Sequence, residues 1–377
     1  MIRNYSFSAD SVKELVGKIQ NFSGFRPTLG IIFSSVALGI PDLETGLSSI
    51  GLPLFGCSTS GEILSEGSED PVFEESAVCC LLDIDPSLFS VRLFKKGDES
   101  DSDLGKRIGD WGKGIFADPA FIIAIAGLKN DGEAIIQGIE SVIPEGQRIY
   151  GGIAGDDFRF SETYAFTSDG YSVNGAAVII FDRSRVEVEG FTTSGWVGVG
   201  TDMVITLSKG NTVYKINNRP PVEIFREYLQ VTDEELQHIG VSFPLFVRRK
   251  DGSEIARTFL SVDYNDGSMV FAGSIPTGAR VRFSSSFGYD IIEKAVRDLK
   301  NWHTDHPGAD LLILFSCKAR HLAAGPMVVE EIRAASDLWN APLIGFFSYG
   351  EIGPTRSGTC DLHNETLSLV RIRLHTD

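Results

Sequence analysis

Two predicted strands in the second half of the chain are each followed by polar and reactive side chains. Leu311 to Ser316 and Leu343 to Phe347 have the apolar composition of buried strands, and a helix that starts at Pro326 lies between them. Because a helical crossover makes two strands parallel, their C-terminal ends should lie at the same edge of the sheet. The residues that follow them should therefore converge on one crevice, and they include Cys317, Arg320, Ser348, Tyr349, Gly350 and Glu351.

Arg320 and Glu351 are residue types that together suit an amino acid. An arginine can bind a carboxylate through two parallel hydrogen bonds, and a glutamate can bind an ammonium group. The alternative for Glu351 is a structural role, in which it caps backbone N–H groups or pairs with Arg320 to hold the loop. Tyr349 could stack on the ligand or fill the floor of the pocket.

Other candidate residues also have two interpretations. Cys317 could be a reactive thiol or a small core residue. Asp156 and Asp157 end a glycine-rich segment and could bind a cation or an amine, although paired aspartates are also common in exposed turns. His363 and Asn364 could line the crevice or form a turn before the last strand. The predicted ligand-binding residues are Gly152, Asp156, Asp157, Cys317, Arg320, Ser348, Tyr349, Gly350, Glu351, His363 and Asn364.

The corner that contains Glu351 has a copy near the N terminus. Pro53 to Ile63 aligns without a gap on Pro342 to Ile352, and the Pro, Leu, two Gly, Glu and Ile positions are identical. When this alignment is continued at the same offset, the alternating apolar residues of the strand that follows each corner also align. This pattern predicts a duplicated strand–corner–strand unit, and corners at strand ends are where α/β proteins bind ligands.

Helix and strand signals alternate along the chain. Residues 11 to 22 form a predicted amphipathic helix with Ser11 and Glu14 as its capping box, and Asp131 can cap a second helix that follows the buried strand Phe121 to Ala126. We therefore predict an α/β fold with mixed β-sheets flanked by helices. The chain of 377 residues is long enough for two domains, and Pro220-Pro221 opens a helix, so we predict domains at 1–220 and 221–377.

Composition restricts the possible partners. The formal net charge is −17 and neither half carries a basic stripe, so nucleic acid and anionic membrane surfaces are not expected partners. The apolar runs are far shorter than the ~18 residues of a spanning helix, and residues 1–10 lack a signal-peptide core. We expect a cytoplasmic protein.

No catalytic or metal-binding motif is recognisable. Gly56 to Ser60 and Phe346 to Gly350 each lack a glycine that the G-x-S-x-G elbow requires, and neither a phosphate-binding loop nor an H-E-x-x-H pair is present. The five cysteines contain no C-x-x-C pair, which argues against a structural zinc site. The sequence therefore predicts a protein that binds rather than catalyses, without a metal.

Several separated segments resemble the FIST family. Phe315 to Arg320, Gly345 to Pro354 and His363 to Thr366 are similar, in that order, to the signature of the FIST C-terminal domain. Pro53 to Glu62 and Gly151 to Asp157 resemble the corresponding corners of the FIST N-terminal domain. The resemblance covers most of the chain.

The resemblance implies an intracellular sensory module that binds a small ligand such as an amino acid. It also implies signalling in trans to a histidine kinase, a diguanylate cyclase or a chemotaxis receptor. One alternative is a haem-binding nitric oxide sensor, which would need an axial ligand, most often histidine. His238, on a predicted helix beside Leu236 and Ile239, is the candidate among six histidines. The other alternative is a protein-interaction scaffold without a small ligand.

Overall fold

A computed structural model describes residues 2–48, 50–65, 70–146, 148–239, 242–249, 252–285, 288–355 and 358–375. Within these ranges, the strands form three six-stranded mixed sheets and one seven-stranded antiparallel sheet. The predicted α/β fold with mixed sheets and flanking helices is confirmed. No helix of these ranges is both long and apolar enough to span a lipid bilayer.

The three six-stranded sheets are built from three similar repeats. The first repeat contains β1 (Arg3–Ala9), α1 (Val12–Gln20), β2 (Leu29–Ser34), α2 (Ile40–Ser48), β3 (Leu54–Ser58), β4 (Glu62–Leu64), β5 (Val72–Phe73) and β6 (Ala77–Asp83). The second contains β7 (Phe89–Lys95), α3 (Asp101–Ile115), β8 (Pro119–Ala126), α4 (Gly132–Glu140), β9 (Ile149–Ile153), β10 (Ala165–Thr167), β11 (Gly170–Ser172) and β12 (Gly175–Asp182).

The third repeat begins with β13 (Val186–Thr193) and is then interrupted by an insertion. The insertion contains β14 (Val197–Lys209), β15 (Thr212–Ile216), α5 (Pro221–Leu229), α6 (Asp233–Ile239), β16 (Leu245–Arg248), β17 (Glu254–Arg257), β18 (Phe259–Asp263), β19 (Ser268–Phe271) and β20 (Arg280–Ser285). The repeat resumes with α7 (Gly288–Asp305), β21 (Leu311–Cys317), α8 (Lys318–Ala324), α9 (Val328–Trp339), β22 (Leu343–Ser348), β23 (Glu351–Pro354), β24 (Cys360–His363) and β25 (Leu367–Leu374).

The three repeats exchange hairpins in a cycle. The strand orders are β1-β6-β2-β3-β10-β11, β7-β12-β8-β9-β23-β24 and β13-β25-β21-β22-β4-β5, which we call the first, second and third sheets. In each order the first four strands come from one repeat and the last two come from another. The unit that the sequence shows as duplicated therefore occurs three times, and each copy completes its neighbour's sheet.

This exchange joins the two halves of the chain. The second and third sheets contain strands from both sides of residue 220, and so does the seven-stranded sheet. Backbone hydrogen bonds between strands therefore cross the predicted boundary in three of the four sheets. The division into 1–220 and 221–377 stays a prediction.

The apolar residues of the strands explain the layers. One face of each six-stranded sheet packs into a shared central core, which includes Phe33, Ile122 and Phe346. The other faces are covered by helices: α1 and α2 on the first sheet, α3 and α4 on the second, and α7 and α9 on the third. Strands that are buried on both faces must be apolar at every position, which accounts for the uninterrupted runs in β8 and β21.

The helix starts agree with the capping signals. The Ser11 hydroxyl accepts a hydrogen bond from the N–H of Glu14 at 3.2 Å, and the Asp131 carboxylate accepts one from the N–H of Ala134 at 3.1 Å. The strands that flank α8 and α9 are parallel, as predicted, and Cys317 pairs with Ser348 at their C-terminal ends.

One glycine is needed at the same place in every repeat. It lies in the third strand of the repeat, where a Cβ atom would come closer than 3.0 Å to a carbonyl oxygen of the neighbouring parallel strand. No side chain can be accommodated there without moving the backbone. The three glycines are Gly56, Gly151 and Gly345, and the facing carbonyls belong to Ile32, Ile123 and Leu314.

The three corners that follow these strands are hydrogen-bonded to one another, and we call residues 58–61, 153–157 and 347–350 the corner hub. Each corner contacts both of the others through pairs of backbone bonds. The N–H to O pairs are Ser60 to Phe347 (3.0 Å), Phe347 to Gly61 (2.9 Å), Tyr349 to Ile153 (3.1 Å), Ile153 to Gly350 (2.8 Å), Gly155 to Ser58 (3.0 Å) and Asp157 to Thr59 (3.1 Å).

The insertion forms a curled sheet, which we call the inserted sheet (residues 197–285). Its strand order is β17-β16-β20-β14-β15-β19-β18, so β17 and β18 are its two edges. Only Thr258 separates these edge strands along the chain, and the sheet must therefore curl until its edges approach each other. Its interior is filled by aromatic side chains, including Phe225, Phe259 and Phe271.

Candidate functional site

A cleft of about 470 Å³ opens between the corner hub and the inserted sheet. The hub contributes Ile153, Ser348 and Tyr349, and the inserted sheet contributes Thr258 and Leu260. The loop that follows β8 and the first residues of α8 complete the wall. The volume is within the range of small-molecule sites.

Asn364 is the most informative residue of this cleft. Its side chain is only 1% exposed, and within the described residues neither its amide oxygen nor its amide nitrogen has a hydrogen-bond partner. A buried polar group without a partner costs about 1 to 3 kcal/mol, and such groups are uncommon in folded proteins. The carboxamide therefore marks this cavity as the candidate binding site.

Tyr349 forms an aromatic wall and is fixed by Asp156. Its hydroxyl donates to Oδ1 of Asp156 at 2.5 Å and accepts from the N–H of Phe158 at 2.9 Å. Its ring stacks on Phe160 with a centroid distance of 5.0 Å. Burial, together with the bond to Asp156, raises the pKa of Tyr349 above its usual value. The hydroxyl is thus kept neutral and is committed to the loop.

The segment after Asp156 has a strained backbone. Asp157, Phe158 and Phe160 have φ values of 54°, 63° and 48°, in the left-handed region that residues with a Cβ rarely adopt. The Asp156 carboxylate holds this conformation by accepting hydrogen bonds from the N–H groups of residues 160 to 162. Strain of this kind often persists at functional sites. Here it places two phenylalanines at the mouth of the cleft.

Four exposed apolar side chains surround this mouth, and we call Leu128, Phe158, Phe160 and Leu260 the apolar rim. They are between 37% and 50% exposed and come from three separate parts of the chain. Single exposed apolar residues are ordinary, but their convergence around one cavity marks a binding surface.

The structure does not place Arg320 in this crevice, so its predicted role in binding a ligand carboxylate gains no support from its position. Arg320 is fully buried, and its guanidinium donates to both carboxylate oxygens of Glu331, at 2.9 Å and 2.6 Å. It also donates to the carbonyls of Ser194 and Ile291. The side chain extends from α8 toward α9, and Arg320 is not among the described residues that line the cleft.

Glu351 is also too deeply buried to meet a ligand ammonium. Its carboxylate accepts a bond from the Ser348 hydroxyl at 2.6 Å, and from the hydroxyl and N–H of Thr366 at 2.7 Å and 3.3 Å. Burial raises the pKa of Glu351 to about 8. The structural alternative, in which the glutamate caps a backbone N–H and holds the corner, describes its observed contacts.

The same arrangement occurs in the first repeat. Glu62 is buried, and it accepts bonds from the Thr59 hydroxyl and from the hydroxyl and N–H of Ser76 at 2.8 Å and 3.3 Å. Burial raises the pKa of Glu62 to about 8 as well. Two equivalent carboxyl groups, each clamped by two hydroxyls, therefore brace two of the three corners.

Cys317 lines the cleft, but its thiol is not activated. Burial raises its pKa well above the usual value, and the neighbouring Glu351 and Glu365 raise it further. A thiol kept protonated is a weak nucleophile. Cys317 therefore serves as a small wall residue beside Ser348.

The other predicted residues lie outside the cleft wall. Gly152 is a spacer in the hub, where a Cβ would come within 3.2 Å of the Ser348 Cβ, and Gly350 is packed against Leu362. Asp156 is buried in its loop, and Asp157 accepts a bond from the Ser35 hydroxyl at 2.8 Å. The structure therefore brings together four predicted residues at the cleft: Cys317, Ser348, Tyr349 and Asn364.

His363 faces a different cavity, a groove of about 1120 Å³ on the other face of β24. Its Nε2 lies 3.2 Å from the carbonyl oxygen of Gly353, and burial lowers its pKa to about 4. Asn364 also borders this groove, where several charged residues pair with each other, as Arg249 does with Asp361 at 2.5 Å and Arg282 with Glu254 at 2.6 Å. We place the candidate site at the smaller cleft.

The backbone of His238 lies in α6, and its side chain falls outside the described part of the structure.

Sequence reasoning missed the rim and the inserted sheet's side of the cleft. The loop after β8 could have been predicted from the sequence as part of the site. β8 is a buried strand followed by a glycine and polar residues, and β21 and β22, from which the crevice was predicted, are also buried strands followed by polar residues. Thr258 and Leu260 have no comparable signal, since their place at the cleft depends on how the inserted sheet docks.

Two buried contacts attach the inserted sheet beside the cleft. Arg257 is fully buried and donates to Glu133 of α4, and the Thr258 hydroxyl donates to Oε1 of Glu365 at 2.8 Å. Arg249 also donates to Glu133, at 3.1 Å. Oε2 of Glu365 has no partner within the described residues. The cleft is thus bounded by two bodies that meet at a small number of polar contacts.

Comparison with known proteins identifies two family matches that together cover most of the chain. The model of the FIST N domain matches residues 28–219, and the model of the FIST C domain matches residues 221–354. An uncharacterized protein found in two strains of Mycobacterium tuberculosis is 24% identical over 253 residues, which cover 62% of this chain and 63% of that protein. An uncharacterized protein of Mycobacterium bovis is 25% identical over 242 residues, covering 59% of this chain and 60% of its own length. The chain thus spans less than two thirds of these relatives.

Proposed function

The chain belongs to the FIST family, and we propose that it is a sensory protein that binds a small ligand in the cleft between the corner hub and the inserted sheet. FIST domains are associated with sensory signal-transduction proteins. The observation that carries the proposal is the buried carboxamide of Asn364, which lines a cavity of ligand size and has no partner among the described residues.

The proposed signal is a change in how the inserted sheet sits on the core. A ligand in the cleft would touch both bodies, which are joined there by buried contacts that include Arg257 with Glu133 and Thr258 with Glu365. A ligand that contacts both walls favours the arrangement in which it binds more tightly. A kinase, cyclase or chemotaxis receptor acting in trans would then read this arrangement.

The ligand set proposed from the sequence changes accordingly. Arg320 and Glu351 already have partners, so the zwitterion of an amino acid has no matching pair of charges at the cleft. Catalysis is not part of the proposal, since the Cys317 thiol is held protonated and the Ser348 hydroxyl donates to Glu351. None of the described residues that line the cleft is a histidine, and a haem ligated by His363 would have to use the larger groove.

A thermal-shift screen with two variants tests the proposal. A ligand at a hundred times its dissociation constant adds about 2.7 kcal/mol to the free energy of unfolding. Asn364→Leu removes the cleft amide, whereas Asn265→Leu makes the same change at an exposed position between β18 and β19, outside the cleft. We expect metabolites that stabilise the native protein and Asn265→Leu but not Asn364→Leu. A compound, haemin included, that stabilises all three proteins equally binds elsewhere and contradicts the assignment of the cleft.

A further inference from the structure

We infer that the cleft takes an uncharged amphiphile, with a head group that presents a hydrogen-bond donor and acceptor side by side, as a primary amide does, and an apolar tail. The head would bind Asn364 and the tail would cover the apolar rim. This inference rests on the proposed function and specifies its ligand class.

The head group is indicated by the geometry of a free carboxamide. Asn364 presents one acceptor oxygen and an NH₂ donor from the same planar group, and within the described residues both are unpaired. A ligand amide can satisfy both atoms at once through two parallel hydrogen bonds. A ligand with only a donor or only an acceptor would leave one buried atom of Asn364 without a partner, which is costly.

The absence of a charge on the ligand follows from the charges around the cleft. Among the described lining residues, Lys129 is exposed, Asp131 caps α4, and Lys318 lies 3.6 Å from Glu74. Of these charged lining residues, Lys129 is the one that neither pairs nor caps a helix within the described structure, and it is exposed to solvent, whereas Asn364 is buried. A carboxylate or ammonium at that depth would lose its hydration without gaining an opposite charge.

The tail is indicated by the walls between Asn364 and the mouth. Ile153, Leu362 and Phe271 line the cleft, and the apolar rim surrounds its opening. These surfaces can be covered by a chain of methylene groups that extends from the head toward Phe160 and Leu260. Removing this apolar area from water supplies affinity in proportion to the length of the tail.

A homologous series of amides tests the inference on the whole chain. Acetamide, butanamide, hexanamide and octanamide are titrated, and the methyl NMR signals of Leu128, Ile153, Leu260 and Leu362 report binding at the cleft. We expect the affinity to rise by about fourfold for each added methylene. Hexanoate, hexylammonium and norleucine have similar tails with charged heads, and we expect them to bind at least about tenfold more weakly than hexanamide.

Variants separate the head from the tail. Asn364→Leu should weaken hexanamide at least about tenfold, because it removes both hydrogen bonds to the head, and the exposed Asn265→Leu should leave the affinity unchanged. Phe160→Ser should weaken octanamide and leave acetamide unchanged, since only the longer tail reaches the rim. Leu260→Ser provides the same test on the opposite wall if Phe160→Ser does not fold.

The outcomes distinguish this inference from the proposed function. If norleucine or hexanoate shifts the same methyl signals at equal or lower concentration than hexanamide, the ligand class is wrong and the cleft is still a binding site. If no amide shifts these signals, the inference is overturned, while the metabolite screen decides the proposed function separately. An affinity that does not change with chain length also overturns it.

Discussion

At the scale of single residues, the molecule contains two kinds of buried polar group. Glu62 and Glu351 are fully provided with hydrogen bonds and brace the corners, whereas the carboxamide of Asn364 is buried without a partner in the described structure. The first kind holds the corners of the fold together, and the second is the group to which we assign ligand binding in the proposed function. Each kind leads to a measurable prediction.

Replacing Asn364 with leucine should make the unliganded protein more stable. The substitution removes a buried polar group that has no partner and keeps a side chain of similar size, so we expect a gain of about 1 to 3 kcal/mol in the free energy of unfolding. Urea denaturation of the purified protein measures this value. A loss of stability would mean that the carboxamide has a partner in the free protein.

The two buried glutamates should make stability depend on pH. Their pKa values are about 8 in the folded protein and about 4.3 in an unfolded chain, so the folded state binds more protons between these limits. The stabilisation is therefore complete below pH ~4.3 and is lost as the pH rises toward 8, with a limiting slope of about 1.4 kcal/mol per pH unit for each group.

Glutamine variants isolate this effect. Glu351→Gln and Glu62→Gln keep the shape and remove the titrating proton, so each should flatten the decline in the free energy of unfolding between pH 5 and pH 8. The exposed Glu74→Gln should leave the pH profile unchanged. If the free energy of unfolding falls with pH equally in all of these proteins, the pKa values of Glu62 and Glu351 are not raised by folding.

At the scale of elements, the corner hub is held together by close backbone approach. Gly345 faces the carbonyl of Leu314 so closely that a Cβ atom would overlap it, and the corner beyond it bonds to both other corners. The parallel pairs β2–β3, β8–β9 and β21–β22 all have this contact. The repeats therefore tolerate different side chains around a conserved backbone geometry.

Alanine substitutions at two glycines should have opposite effects. Gly345→Ala forces the β21–β22 pair apart and should destabilise the protein by about 1 to 3 kcal/mol, as overpacking does. Gly17→Ala in α1 meets no atom within 4 Å and should stabilise by up to about 1 kcal/mol through helix propensity. Urea midpoints of the two variants provide the comparison, and a neutral Gly345→Ala would contradict the proposed close packing.

At the scale of the whole molecule, three repeats form a closed cycle and the inserted sheet is docked on its side. Each repeat supplies a hairpin to its neighbour, so no repeat has a complete sheet of its own. The inserted sheet has a separate aromatic interior and meets the core through the buried pair of Arg257 and Glu133. A substitution in this pair should therefore change how tightly the inserted sheet is held on the core.

Breaking this pair should loosen the inserted sheet. Glu133→Gln leaves the Arg257 charge buried without an opposite charge, and we expect a loss of about 3 to 5 kcal/mol or separate unfolding of residues 197–285. Glu227→Gln breaks the exposed pair with Arg219 in the same insertion and should have little effect, because solvent screens this pair. Hydrogen exchange resolved along the chain measures both effects, and equal exchange in the two variants would remove the pair from the docking interface.

The sequence by itself determined the features that depend on local pattern. Periodicity and capping located α1 and α4, the apolar runs located β8 and β21, and the repeated corner identified Gly56 and Gly345 as special positions. These predictions succeeded because each signal lies within about a dozen neighbouring residues. The crossover rule also placed Cys317 beside Ser348 correctly, since it needs only the order of two strands and a helix.

Only the tertiary structure decided which distant groups meet. Arg320 was expected to face the crevice, but its partner is Glu331 on α9, and the direction of a side chain from a helix depends on how that helix packs. Thr258 and Glu365 are 107 positions apart, and their contact depends on the docking of the inserted sheet. Asn364 is distinguished because no partner for its amide lies among the described residues, and a missing contact has no local pattern from which it could be predicted.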